Sequence, residues 1–419
     1  MKWIIRSIIV VVLLLSSFDI GICYIIRDEA GGCECEDIGT WYPDTLTCTL
    51  SGDVDDIIEI DDDGITLDGN GYSATEIYVI GKNGFIIENF VGASYINTFG
   101  INILEDSDID PGIIRNNIIT GVDHSIDIYD GKYIEITDNT ISHCSGGIHL
   151  SRSSNINITN NTIHDNNFYG IGCYDSSSYN NIIDNTIFDN NECGISLIAV
   201  WHHNINNNSI NDNNRGIYLW MTGEHNISDN TIFNNIDYGI WLDKDNDRNT
   251  IKNNSISDNG RYGIHMEDGR ENFIYCNNIF NNDCGIYILN SMDNTLYYNN
   301  LVDNAINNGY ESLESGSNQW HNNHWSDYDE PCESCVDSDD DGICDSPYDI
   351  PGGTGSDMYP MVCIDWRDEW MNVNSDGGTT VTTVELQDAI HHWLEDEPVR
   401  CHVLSLTDIQ EVIAAWLLV

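Results

Sequence analysis

The sequence predicts an all-β chain wound as a right-handed parallel β-helix, a solenoid, with a small α-helical module at its C-terminal end. Three observations carry this reading. A repeat of 22 to 24 residues runs through the middle of the chain, apolar residues alternate inside each repeat, and the pattern changes after Cys363.

The chain begins with a basic start, Lys2 and Arg6, followed by an apolar run from Ile8 to Leu15. That run is short for a bilayer span, so residues 1–23 read as an export signal that is removed. The expected location is extracellular or at the cell surface, with no membrane span after signal removal. Residues 24–56 follow as a cysteine-containing segment. The chain has 14 cysteines, which suits an oxidising compartment with disulfides.

Only 15 Lys and Arg stand against 69 Asp and Glu, a net charge of −54. Phosphate binding needs clustered basic residues, so nucleic acid and anionic lipid are excluded as partners.

The β-helix is expected over 57–330. One anchor is an Asn followed closely by an aliphatic residue, at Asn117, Asn139, Asn161, Asn185, Asn208, Asn230, Asn254, Asn278 and Asn300. A second is a Gly-Ile step at Gly147, Gly170, Gly194, Gly216, Gly239, Gly263 and Gly285. Alternation such as Ile217-Tyr218-Leu219 and Ile240-Trp241-Leu242 means short strands with one buried face. The apolar spacing of three and four that helices require is absent. Each repeat therefore makes one coil, and stacked coils place equivalent residues about 4.8 Å apart. At that distance buried Asn amides can hydrogen-bond up and down the stack, and the Gly is expected to permit a tight corner.

Ile65-Thr66-Leu67-Asp68-Gly69-Asn70-Gly71 reads as the entry, and Asn318 to Tyr328 as the closing stretch. Together with Trp325-Ser326-Asp327-Tyr328, Pro347-Tyr348-Asp349-Ile350-Pro351 and Asp357-x-Tyr359-Pro360, these segments resemble the NosD-like right-handed β-helix proteins, over roughly residues 50 to 362. That group belongs to a wider set of carbohydrate-binding and sugar-hydrolase β-helices. Its namesake assists copper delivery to nitrous oxide reductase. No His, Met or Cys cluster with a copper pattern accompanies the resemblance here, and His321 and His324 read as structural filler.

Residues 331–363 form an acidic loop and cap. Asp337, Asp339 and Asp341 occupy positions 1, 3 and 5 of a calcium-type loop, with Gly342 at 6, Ile343 at 7 and Asp345 at 9. Carboxylates at 1, 3 and 5 with a main-chain carbonyl at 7 converge on one Ca2+, and Asp349 stands in for the usual Glu near position 12. Cys332, Cys335, Cys344 and Cys363 flank the loop and read as disulfide staples. Residues 364–419 contain a second acidic loop at Asn372, Asn374 and Asp376, then helical patterns over Val381 to Glu395 and Leu406 to Leu417. A loop and helix repeated resembles a dockerin, which implies docking to a cohesin-like protein partner.

An outward column follows each Gly-Ile step: His149, Gly172, Ser196, Tyr218, Trp241, His265 and Tyr287. The last four make an aromatic stripe on consecutive coils, the candidate surface for a polysaccharide or surface glycan. Asp243 and Glu267 are the candidate catalytic pair if the chain is instead a polysaccharide lyase or glycoside hydrolase. The leading expectation is a binding protein.

Overall fold

The computed structural model describes residues 23–92, 95–99, 110–122, 124–328, 335–338 and 342–362, with single positions at 386, 389, 390, 412 and 413. It divides into two units, residues 1–163 and 164–419. Both are parallel β-helices, with coils of one long strand and two short ones.

In the first unit the long strands are Cys23–Ile26, Val54–Ile60, Ala74–Ile80, Tyr95–Phe99, His124–Tyr129 and Gly146–Ser151, each paired in parallel with the next. Cys23 thus lies inside a strand. The cysteine-containing segment is not separate from the solenoid. Its Thr47–Leu50 strand pairs antiparallel with Gly39–Tyr42 and in parallel with Thr66–Asp68, so it caps the first coil. The Cys35–Cys48 disulfide ties that cap.

The second unit begins with the long strand Tyr169–Tyr174. Cys193–Ile198, Arg215–Trp220, Tyr238–Asp243, Tyr262–Glu267, Cys284–Leu289 and Asn307–Glu311 follow in the same sheet. Inward positions are aliphatic and fully buried, as in the row Ile217, Ile240, Ile264 and Ile286. Both units show why the Asn anchors recur. The residue before each anchor adopts the left-handed region, for example Asp138 at φ 56°, Asn207 at 54° and Asp229 at 59°, where Asn and Asp are favoured. The anchor itself then turns inward. Asn208 Nδ2 donates to Asn230 Oδ1 at 2.9 Å and to Ile182 O at 2.8 Å, while its main-chain N–H donates to the same Asn230 oxygen at 2.9 Å. Within the first unit, Asn117, Asn139 and Asn161 repeat this arrangement.

One expectation needs correction. The buried anchors near the C-terminal end are Asn277 and Asn299, not Asn278 and Asn300, which begin the next strand. The glycines of the Gly-Ile steps leave room for the neighbouring coil. A Cβ on Gly216 would lie 2.4 Å from Gly239 O and 2.7 Å from Ile232 Cγ2, so close approach of successive coils requires it.

Among the described residues of the second unit, three polar ladders run side by side. Asn185 to Asn323 is the first. A second runs through Asn166, Asn190, Asn213, Asn235, Asn259, Asn282, Asn304 and Asn308. The third contains Asn180, His203, His225, Asn249, Asn272, Asn294 and Asn318. In every ladder the rung-to-rung bonds run toward the C-terminal end, so the last rung needs an acceptor. Each receives a carboxylate. Asp357 Oδ2 accepts from Asn323 N at 2.9 Å and Nδ2 at 3.0 Å; Asp327 accepts from Asn308 Nδ2 at 2.7 Å; and Glu311 accepts from Asn318 Nδ2 at 3.1 Å. The closure therefore extends beyond Asn318–Tyr328 to the strand Ser356–Asp357, which pairs at Trp320↔Asp357.

Cys335 and Cys344 form a disulfide; Cys332 and Cys363 lie outside the described residues. The described positions of the C-terminal segment, Leu386, Ala389, Ile390, Val412 and Ile413, are helical. No helix among the described residues is long and apolar enough to cross a membrane.

Candidate functional site

The long strands of the second unit present their outward side chains in three rows. The middle row runs Gly172, Ser196, Tyr218, Trp241, His265, Tyr287 and Tyr310, each in register with the next. The four stripe residues are thus neighbours, as their spacing predicts. A row on one side contains Tyr169, Cys193, Arg215, Tyr238, Tyr262 and Cys284, and one on the other Trp220, Asp243 and Glu267. The lateral tyrosines, Arg215 and Tyr310 escaped the sequence reading. The residue before each Gly-Ile step would have pointed to that lateral row.

The rings pack on one another more than an open platform would. Tyr287 and Tyr310 stack at 4.6 Å and 7°, Tyr262 and Tyr287 at 4.7 Å and 20°, and Trp241 and His265 at 5.9 Å and 15°. Near-parallel stacking between coils covers ring faces and turns edges outward. Tilted pairs, Tyr218–Trp241 at 54° and His265–Tyr287 at 71°, open the row between them. His265 is only 7% exposed, whereas Tyr218, Trp241 and Tyr287 are half-buried.

Charge is distributed unevenly over this face. The Arg215 guanidinium lies 4.6 Å from the Trp241 ring and 5.1 Å from that of Tyr218. Arg261 sits over Tyr238 and Tyr262 and donates to the Tyr238 hydroxyl at 3.0 Å. Neither arginine forms an ion pair among the described residues. Across the face, Tyr218 donates to Asp243 Oδ2 at 3.0 Å. Burial, and then the neighbouring Asp243 charge, raise the Glu267 carboxyl above its ordinary range. Burial, and then Arg261, push His265 down to about 4, so its imidazole is neutral at physiological pH. Both His265 nitrogens and Trp241 Nε1 are buried without hydrogen-bond partners.

Other predicted positions fall elsewhere. His149 Nδ1 meets Asp127 Oδ1 at 2.7 Å in the first unit. His321 stacks on Tyr297 at 5.2 Å, and His324 Nδ1 meets Asn300 Oδ1 at 2.6 Å; both are engaged in the solenoid wall. Of the acidic loop, Asp339 and Asp341 lie outside the described residues, as do Asn372, Asn374 and Asp376. Asp337 accepts from Gly342 N at 2.9 Å, and Asp345 accepts from Ser338 N at 3.2 Å. Gly342 has φ 81°, the sharp turn the loop requires. Ile343 lies in the loop, and Asp349 is exposed on the strand Tyr348–Asp349. No cluster of three or more metal-ligating side chains occurs among the described residues.

A family model described as "Right handed beta helix region" matches residues 47–220 and 180–306. No curated protein matches the chain at a significant level. Similar solved structures include a mutant of the periplasmic alginate epimerase AlgG, 15% identical, covering 67% of this chain and 78% of that one at TM-score 0.49. Another is a mannuronan C-5 epimerase A-module from Azotobacter vinelandii, 14% identical, covering 66% and 87% at TM-score 0.48. A third is a mutant of DFA-IIIase from Arthrobacter chlorophenolicus A6 in complex with DFA-III, 8% identical, covering 65% and 85% at TM-score 0.48.

Proposed function

This chain belongs to the right-handed β-helix family, and from that premise we propose that it binds a glycan along the long-strand face of its second unit. One observation carries the reading. Aromatic side chains from consecutive coils stand in register on a single outward face, Tyr218, Trp241, His265, Tyr287 and Tyr310, with Tyr238 and Tyr262 beside them. A repeat of about 4.8 Å along the stack is close to the length of one sugar unit, so the same ring can be met again by the next sugar. Ring edges, tyrosine hydroxyls and flanking carboxylates offer both apolar and hydrogen-bonding surface to such a chain. The test is retention of the full chain on a panel of immobilised polysaccharides. Wild type should be retained by at least one, and Trp241→Ala should weaken that retention about tenfold or more. Retention of Trp241→Ala equal to wild type would remove the claim.

A catalytic reading on the same face has its own support. Asp243 and Glu267 are in register on adjacent strands, and burial with the neighbouring Asp243 charge raises the Glu267 carboxyl. Acid–base cleavage of a glycosidic bond uses a pair of carboxyl groups, the acid being the one whose surroundings raise it. Product release measured as reducing ends or unsaturated sugars should fall at least about 100-fold in Glu267→Gln if the pair is catalytic. Silence of wild type across a broad panel of polysaccharides leaves binding as the whole function.

Calcium in the Asp337 loop is part of the proposal. Its support is the carboxylate spacing and the turn closed at Gly342 by the Asp337 carboxylate. Chelator should lower the Tm, because an ion that binds only the folded chain stabilises it, whereas an unchanged Tm contradicts the assignment.

A further inference from the structure

At one end of the aromatic row the side chains become small. Ser196 and Gly172 succeed Tyr218 in the middle row, and the small side chain of Ser196 leaves a hollow of about 150 Å3. Phe168, Tyr169 and Tyr174 wall it, Glu192 stands at its rim, and Arg215 and Tyr218 close the side toward the aromatic row. The Gly172 position has no room for more than hydrogen, since a Cβ would lie 2.5 Å from Tyr174 Cε2 and 2.7 Å from Tyr169 Cε2. A cavity near this volume holds one six-membered ring.

Arg215 distinguishes this hollow from an ordinary surface dip. The chain has only 15 basic residues among 69 acidic ones, yet this guanidinium has no carboxylate within ion-pair distance among the described residues. It is held against Trp241 and Tyr218, and its buried Nε has no acceptor. A planar cation fixed on rings and left without an anion is preorganised for a carboxylate. A polyanion is a poor candidate. Beyond Trp241 it would run past Asp243 and Glu267, in a chain of net charge −54.

We infer that the hollow takes one carboxylate-bearing sugar ring, the end residue of an otherwise uncharged glycan, with its carboxylate on Arg215 and the rest of the chain along the aromatic rows. The inference rests on the glycan reading of this face. It adds an end-recognising subsite and a charge requirement at one position only.

Calorimetric titration of the full chain with D-glucuronate and with D-glucose tests it. Wild type should bind glucuronate about tenfold or more tightly than glucose. Arg215→Gln should bring the glucuronate-to-glucose ratio near one, and Arg215→Lys should keep part of it. Ser196→Leu, which fills the hollow and leaves Arg215 in place, should abolish binding of both sugars. Equal affinities in wild type, a ratio unchanged in Arg215→Gln, or undiminished glucuronate binding by Ser196→Leu would each overturn the inference. So would stronger retention of the wild type on polygalacturonate than on any neutral polysaccharide. Failure of the subsite is separable from failure of the face. A chain retained by neutral glycans without preferring glucuronate keeps the face and loses the subsite. A chain retained by no polysaccharide loses the face.

Discussion

His203 and His225 take rungs that Asn holds elsewhere in the same ladder. Their rings stack at 5.2 Å and 1°, and each accepts a main-chain N–H on Nδ1, from Asn180 at 3.2 Å and from His203 at 3.0 Å. Accepting on Nδ1 requires a neutral ring. Burial agrees, holding His203 down to about 3 and His225 well below 6.5. Between pH 6.5 and about 3 the folded chain therefore binds fewer protons than the unfolded one. Their neutral state stabilises the fold fully above the unfolded pKa, and that stability is lost as pH falls, by about 1.4 kcal/mol per unit for each ring. His203→Asn restores an amide to the rung. Its unfolding free energy should fall less steeply than that of wild type between pH 6 and about 4, by roughly one proton. Superimposable acid limbs in urea titrations of the two proteins would contradict the account. The same ladders show what the sequence hid at this scale. Asn277-Asn278 and Asn299-Asn300 are identical pairs, and only the backbone decides which member turns inward; the φ of 57° at Cys276 and 53° at Tyr298 puts the first one on the rung.

The strands themselves were legible because period-two alternation leaves no other element, and the coil length followed from the spacing of Gly-Ile steps. What the spacing could not show was polarity. The rung-to-rung bonds of a ladder all run the same way, so each stack ends with unsatisfied N–H groups. The buried carboxylates of Asp357 and Glu311 and the exposed one of Asp327 answer that need, and Asp357 also accepts from Trp325 Nε1 at 3.2 Å. The Asp357-x-Tyr359-Pro360 segment was visible in the sequence as a motif, but the job of its aspartate was not, since the partner asparagines lie more than 30 residues away. Asp357→Ala would orphan the main-chain N–H of Asn323 and the indole N–H of Trp325 in the interior, at a cost of about 2 kcal/mol or more. Denaturant unfolding should show a lower midpoint with an unchanged slope; a midpoint equal to wild type would remove the capping role.

At the scale of the whole molecule, composition argued against nucleic acid and anionic lipid but could not say where the few cations sit. Arg215 and Arg261 precede Gly-Ile and Tyr-Gly-Ile steps, and only the register of the long strands brings both onto the aromatic face. The stripe of Tyr218, Trp241, His265 and Tyr287 was read correctly as a row of neighbours. Its packing was not, because whether rings lie flat or stack edge-outward depends on the lateral tyrosines that fill the space between coils. Among the described residues Tyr287 and Tyr310 stack on other outward rings, and Tyr310 also lies against Gly352 of the closing segment, so removing them spares the aliphatic core. Affinity electrophoresis of the double variant Tyr287→Ala/Tyr310→Ala, in gels containing a polysaccharide that retards the wild type, tests the binding face most directly. The account predicts that retardation falls at least about tenfold while the Tm shifts only slightly. Retardation equal to wild type, in a variant that remains folded, would contradict it.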